Sequence, residues 1–256
     1  MKFGAIFLLN DKFIFYYFRF YDRILKFEIL NYKKEVIIFM NKKEVADPSA
    51  LGLLGLAIVT LVASSSKLGI TSGVSLIIPW AIFAGAFAQL FAAINDAKIG
   101  NKFGSTAFGG FSFFWFGVAM TWMLQSGVFG ESLALSADSS QLGFAYLAYL
   151  IFTTYMMIGS LTTSKALFFI FALIECLFIG LTLSSFGVAP EFFHMFAAVS
   201  ELLIALLAFY ASACHILNEQ FGKTVLPLGK PFVCPLRVEE KVDPAGMMHV
   251  QNPEDA

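Results

Sequence analysis

Charge is what this sequence lacks most. Only 14% of its 256 residues are Asp, Glu, Lys or Arg, where a soluble domain carries about 25%. With 58% hydrophobic residues, the few charges cannot cover a single water-soluble core. A basic excess is also missing. Seventeen Lys and Arg face 18 Asp and Glu, for a formal charge of -1, so no overall positive field exists to hold nucleic acid. Cysteine is scarce: Cys176, Cys214 and Cys234 show no C-x-x-C spacing, which excludes a disulfide framework and a zinc site. No nucleophile–base pair, metal-ligand cluster or Gly-rich phosphate loop is present, so neither an enzyme nor a cofactor is expected. A mean hydropathy of +0.76 points instead to a polytopic, all-α membrane protein.

Residues 1–39 are rich in Phe, Tyr, Ile and Lys, yet their charges recur every few positions. Lys12, Arg19, Asp22, Arg23, Lys26 and Glu28 would all enter hydrocarbon if this stretch spanned it. Each costs about 2.5–3.5 kcal/mol near a helix centre, which argues against spanning. No small-residue cleavage site follows. The segment reads either as an interfacial helix or as a leader upstream of a start at Met40. The polar MNKKEVADPSALGL running straight into a helix favours Met40. The expected organisation is a leader over 1–39, a six-helix domain over 40–230 and a Pro-rich, charged, disordered tail over 231–256.

Six runs are long enough to span a bilayer: residues 49–66, 74–95, 106–126, 142–161, 166–186 and 192–216. Only TTSK separates the fourth from the fifth, which makes them a hairpin. With both termini cytoplasmic, Lys42, Lys43, Lys98, Lys102, Lys165, Lys223 and Lys230 fall inside and only Lys67 falls outside. The positive-inside rule selects that orientation.

Polar groups within the spans carry most of the remaining information, because hydrocarbon makes them costly. His194, Glu201, Ala208 and His215 recur every seven residues and share one stripe of the last span, with Ala197, Ala198, Ala205 and Ser212 beside them. That small, polar face is expected to meet protein or water, and the opposite Leu-rich face lipid or neighbouring helices. Glu175 sits mid-way along the fifth span, where it must be paired or protonated. Gln89 follows Ala81 and Gly85 at intervals of four, and Pro79 kinks or starts the same helix. Gln89 is read as a hydrogen-bonding residue of a path or an interface. Two loops, GNKFGSTAFGG and LNEQFGKTVLPLG, share Asn, Phe-Gly and Thr (Asn101, Phe103, Gly104, Thr106; Asn218, Phe221, Gly222, Thr224). In each, the Thr is available to cap a following helix.

These motifs, with Asp47-Pro48-Ser49-Ala50-Leu51-Gly52-Leu53 before the first span and Glu219-Gln220 inside the last loop, resemble the acetate uptake transporter family. The family typically opens with NPAPLGL. The resemblance covers about residues 46 to 230. It implies six-helix protomers assembled into homohexamers, each with its own acetate path narrowed by an apolar ring. Laid on that pattern, the ring falls at Leu56, Phe111 and Ile174. The family more often has an aromatic residue and a Tyr at the first two positions, so substrate-size selection is expected to differ here. Asp47 replaces the usual Asn and puts a carboxylate near the cytoplasmic mouth.

The function implied is passage of acetate, with succinate as a second small carboxylate, across the cytoplasmic membrane with proton coupling. Glu201 is the first candidate proton site and Glu175 the second. The lipid bilayer and the acid are the expected partners, and nucleic acid is not. A passive acetate channel, ammonium export and a non-transporting acetate sensor are the competing readings. The absence of a large soluble output domain argues against the sensor.

Overall fold

The computed structural model describes residues 46–234 together with Lys26 and Glu28. The remaining leader residues, the Met40 start and the tail from 235 onward lie outside the described residues. The chain divides into Met1–Ala46 and Asp47–Ala256, and the helices named here belong to the second unit. They are α1 (Ser49–Lys67), α2 (Ile78–Lys98), α3 (Lys102–Gln125), the short α4 (Glu131–Leu135), α5 (Ser139–Ser160), α6 (Lys165–Ser185) and α7 (Pro190–Phe221). All but α4 are long and apolar enough to cross a membrane, and no strand occurs among the described residues. The protein is an all-α, six-span membrane protein.

Local chemistry sets the helix ends. Asn101 precedes α3, and its side-chain oxygen accepts the Gly104 N–H at 3.0 Å. The polar start KFGS is thereby drawn into the helix, which begins four residues before the apolar run. Asp138 caps α5 through Ser140 N at 2.9 Å, and Ser164 caps α6 through Leu167 N at 3.3 Å. Pro79 and Pro190 sit in the first turns of α2 and α7, where a missing N–H costs nothing. α7 runs on to Phe221 and stops at Gly222, whose φ of 61° is the left-handed cap that glycine adopts freely. The apolar run alone placed that end at 216, because it cannot register a helix that continues through polar LNEQ.

α7 packs along α1 and α6, α5 packs on α6, and α2 lies between α1 and α3. A thin α3–α5 contact closes the ring. The alanines at 197, 198, 205, 208 and 211 bury one face of α7, while Val199, Leu203 and Leu206 are exposed on the other. Gly55 explains how closely α1 meets α2. A Cβ there would lie 2.5 Å from the Ala84 carbonyl oxygen and 3.0 Å from the Ala88 Cβ. In α2, residues Ala81–Ala88 form a π-helical stretch, wider than an α-helix and common where function needs a displaced backbone. Outward-facing Phe91, Phe113, Ile151 and Ile158 are exposed and suit contact with acyl chains.

Candidate functional site

The ring of helices encloses a cavity of about 280 Å³. Its wall is apolar over most of its height: Leu53 and Leu56 from α1, Phe108 and Phe111 from α3, Ile170, Phe171 and Ile174 from α6. Ser49, Gln89, Asn101, Thr163, Ser164 and His215 supply its polar atoms. Among the described residues, no Asp, Glu, Lys or Arg lines it. Leu56, Phe111 and Ile174 also line a second void of about 10 Å³, walled by Thr60, Phe114, Leu177 and Ile204 among others. These three side chains, at most 5% exposed, thus border both spaces. The Phe111 ring packs edge-on against Phe152 at 5.5 Å and lies 6.1 Å from Phe171, and such pairs hold a rotamer in place.

One end of the cavity is polar. His215 Nδ1 lies 2.9 Å from Asp47 Oδ2, tying the last helix to the residue that precedes α1. Asp47 also accepts the Ser49 N–H at 2.9 Å. The hydrogen bond from His215 holds the Asp47 carboxyl well below the usual carboxylate range, against burial, which pushes it up. A depressed carboxyl stabilises the fold above its unfolded value of about 4 and loses that contribution as pH falls through the folded value. The melting-temperature gap between the wild type and Asp47→Asn is therefore expected to be full at about pH 6 and to have begun to narrow at about pH 3, just below the unfolded value. An unchanged gap at the lower pH would contradict the pairing.

Asp96, one residue beyond the second apolar run, is fully buried beside this mouth. Its Oδ1 accepts from Asn101 Nδ2 at 2.8 Å, and its Oδ2 has no partner among the described residues. Gly104 makes room for the pair, since an added Cβ there would collide with the Asp96 carboxylate and lie 2.5 Å from Asn101 Nδ2. Gly104→Ala is expected to destabilise the protein by about 1–3 kcal/mol through overpacking, as read from thermal unfolding in detergent. Wild-type stability in that variant would show that the Asp96–Asn101 pair is free to move aside.

Gln89 is also fully buried, and it lines the cavity. It stands where the π-helical stretch ends. Its backbone N–H turns to Ala86 O, and its side-chain Nε2 donates to Gly85 O at 2.8 Å. Its Oε1 has no partner among the described residues.

The other sequence candidates lie elsewhere. Glu201 forms a two-pronged ion pair with Lys67, whose Nζ lies 3.0 Å from Oε1 and 2.8 Å from Oε2. It lines neither space. Glu175 accepts from Thr153 Oγ1 at 2.6 Å and Thr154 Oγ1 at 2.7 Å, on the α5 side of α6. Ser212 donates to Ala50 O at 2.8 Å and joins α7 to α1. His194 is exposed near the start of α7. Among the motif residues, Pro48 O accepts the Gly52 N–H at 3.0 Å, Leu51 is exposed, and Phe103 lines the cavity. Thr106 caps nothing, because it lies inside α3 and Asn101 takes that role. Thr224 precedes no helix among the described residues. Asn218 is the working residue of the second motif. Its Oδ1 accepts from Val225 N at 2.6 Å and Leu226 N at 3.0 Å, and its Nδ2 donates to Leu226 O at 2.8 Å. Glu219 O accepts the Gly222 N–H at 3.1 Å, while Gln220 and Phe221 are exposed. Leu228, just beyond, lines the cavity. Phe232, in the expected tail, stacks edge-on against Phe168 at 5.0 Å.

A family model described as the GPR1/FUN34/yaaH family matches residues 32–229. The chain belongs to the GPR1/FUN34/yaaH family. The Succinate-acetate/proton symporter SatP of Escherichia coli strain K12 is 33% identical over 193 residues, covering 75% of this chain and 99% of SatP. A solved structure described as the bacterial acetate channel SatP matches with a TM-score of 0.67 at 30% identity, covering 73% of this chain and 100% of that one. The Ammonia transport outward protein 2 of Saccharomyces cerevisiae is 27% identical over 183 residues, 68% of this chain and 63% of that protein. The motif resemblance to acetate transporters holds, and this GPR1/FUN34/yaaH chain is a multi-pass membrane protein of a transport family rather than of an enzyme family.

Proposed function

We propose that this chain carries acetate, and succinate with it, across the cytoplasmic membrane, and that a proton accompanies the acid. One observation carries the reading: a cavity lined, among the described residues, by no Asp, Glu, Lys or Arg that ends on a dry collar of Leu56, Phe111 and Ile174. A bare carboxylate pays a large desolvation cost at such a collar, whereas the neutral acid passes far more cheaply. Simple carboxylic acids titrate near ~4–5, so acidity on the entry side raises the neutral fraction. A space of this size lies just below the usual ~300–1,000 Å³ range for drug-sized ligands and suits a small solute. Lys98, Lys102, Lys165, Lys223 and Lys230 all lie at or beyond helix ends on the side of the polar mouth and Lys67 ends α1 on the other, which supports a cytoplasmic mouth and cytoplasmic termini. The outward face of α5, little of which is buried, supports assembly of several copies, a hexamer by resemblance to the family.

Ammonium export is the second reading, suggested by the yeast relative. The lack of any carboxylate among the described residues of the cavity wall favours an acid over a cation. Uptake of labelled acetate into proteoliposomes, challenged with unlabelled succinate and with ammonium, separates the two. Competition by succinate but not by ammonium is expected. Acetate flux no greater than in protein-free vesicles would overturn the proposal.

A further inference from the structure

Gln89 presents its unused chemistry in one sense only. The Gly85 carbonyl accepts from the side-chain Nε2 of Gln89 at 2.8 Å, while the Gln89 backbone N–H goes to Ala86 O. The atom facing a carbonyl oxygen must be the amide nitrogen, so the assignment of the two amide ends is fixed. What remains is Oε1, an acceptor without a partner among the described residues, on a fully buried residue of the cavity wall. A buried acceptor left empty costs about 1–3 kcal/mol, and a ligand that fills it recovers that cost.

A carboxylate has no hydrogen to offer this oxygen and would meet it lone pair to lone pair. An undissociated acid has one. We infer that Gln89 is a substrate-selecting residue whose Oε1 accepts the O–H of the protonated acid as it reaches the collar. The inference rests on the acid-passage reading and makes it specific: the cavity admits small, neutral solutes that carry a hydrogen-bond donor. Leu56, Phe111 and Ile174 then exclude by size and dryness, and Gln89 discriminates by protonation state. The donor and acceptor balance is simple. The acid keeps its O–H bond throughout and gives the proton up to water only after leaving the cavity.

Two neutral mimics of acetic acid test this in the unmodified protein. Acetamide has its shape and an N–H donor, and acetone has its shape and no donor. In proteoliposomes with an acidic exterior, acetamide is expected to slow labelled acetate uptake at concentrations where acetone does not. Gln89→Leu is expected to lower acid-driven acetate uptake about tenfold, the size of one lost buried hydrogen bond, and to erase the difference between the mimics. Equal inhibition by acetamide and acetone in the wild type would overturn the assignment without any mutant. A correctly assembled Gln89→Leu protein that keeps wild-type uptake or still distinguishes the mimics would overturn it too. A wild type with no acetate flux would instead remove the acid-passage reading on which the inference stands.

Discussion

Phe111→Ala is expected to raise acetate flux about tenfold, equivalent to about 1.4 kcal/mol off the barrier, and to admit longer monocarboxylates such as butyrate. Phe111 is the largest of the three side chains that border both the wide cavity and the small void beyond it. Removing its ring joins the two spaces and leaves no polar group stranded, so the change acts on the dry constriction itself. The same deletion costs stability. A buried Phe→Ala change is worth about 3–5 kcal/mol in a packed core, and the rings of Phe152 and Phe171 lose their partner. Flux must therefore be normalised to folded, reconstituted protein. Unchanged flux and unchanged chain-length preference in such a sample would place the constriction elsewhere.

Lys67→Met is expected to be the most destabilising single change at the opposite end of the bundle. It strands Glu201, which is almost fully buried, without its two-pronged partner. Breaking a buried pair in this way costs about 3–5 kcal/mol, because the remaining charge has no compensation. Glu201→Gln is expected to cost less, since the Lys67 side chain retains 19% exposure and can reach water. In the double variant Lys67→Met with Glu201→Gln, most of the loss should return. Thermal unfolding of the three proteins in one detergent measures this, and equal melting temperatures for Lys67→Met and the double variant would contradict it. The same Glu201→Gln protein tests the coupling role expected from sequence. A Glu201 that only joins α1 to α7 leaves pH-driven accumulation intact, whereas a coupling Glu201 abolishes it while acetate still equilibrates.

What the sequence made legible follows from what periodicity and hydropathy measure. The six spans stand out because hydrocarbon demands long apolar runs, and the alanine stripe of α7 because two helical turns return a residue to the same face. Leu56, Phe111 and Ile174 came from motif resemblance, and the cavity wall brings them together. Partners were not legible. Lys67 reads as a lone loop cation until α1 and α7 are packed, when it meets Glu201 across 134 residues. The His215–Asp47 contact spans 168 residues for the same reason. Asp96 carries no local signal beyond the Asn101 and Gly104 that accommodate it. The π-helical stretch before Gln89 leaves no mark in composition at all, since Ala, Gly and Phe suit either helix. The Thr106 cap failed because Asn101 offered a better acceptor one turn earlier.

Labelled acetate uptake into proteoliposomes of the unmodified chain, with and without an acidic exterior, tests the central claim most directly. The account predicts flux well above protein-free vesicles, accumulation beyond equilibrium while the pH gradient lasts, and collapse of that accumulation when a protonophore removes the gradient. Uptake indistinguishable from empty vesicles under both conditions would contradict it.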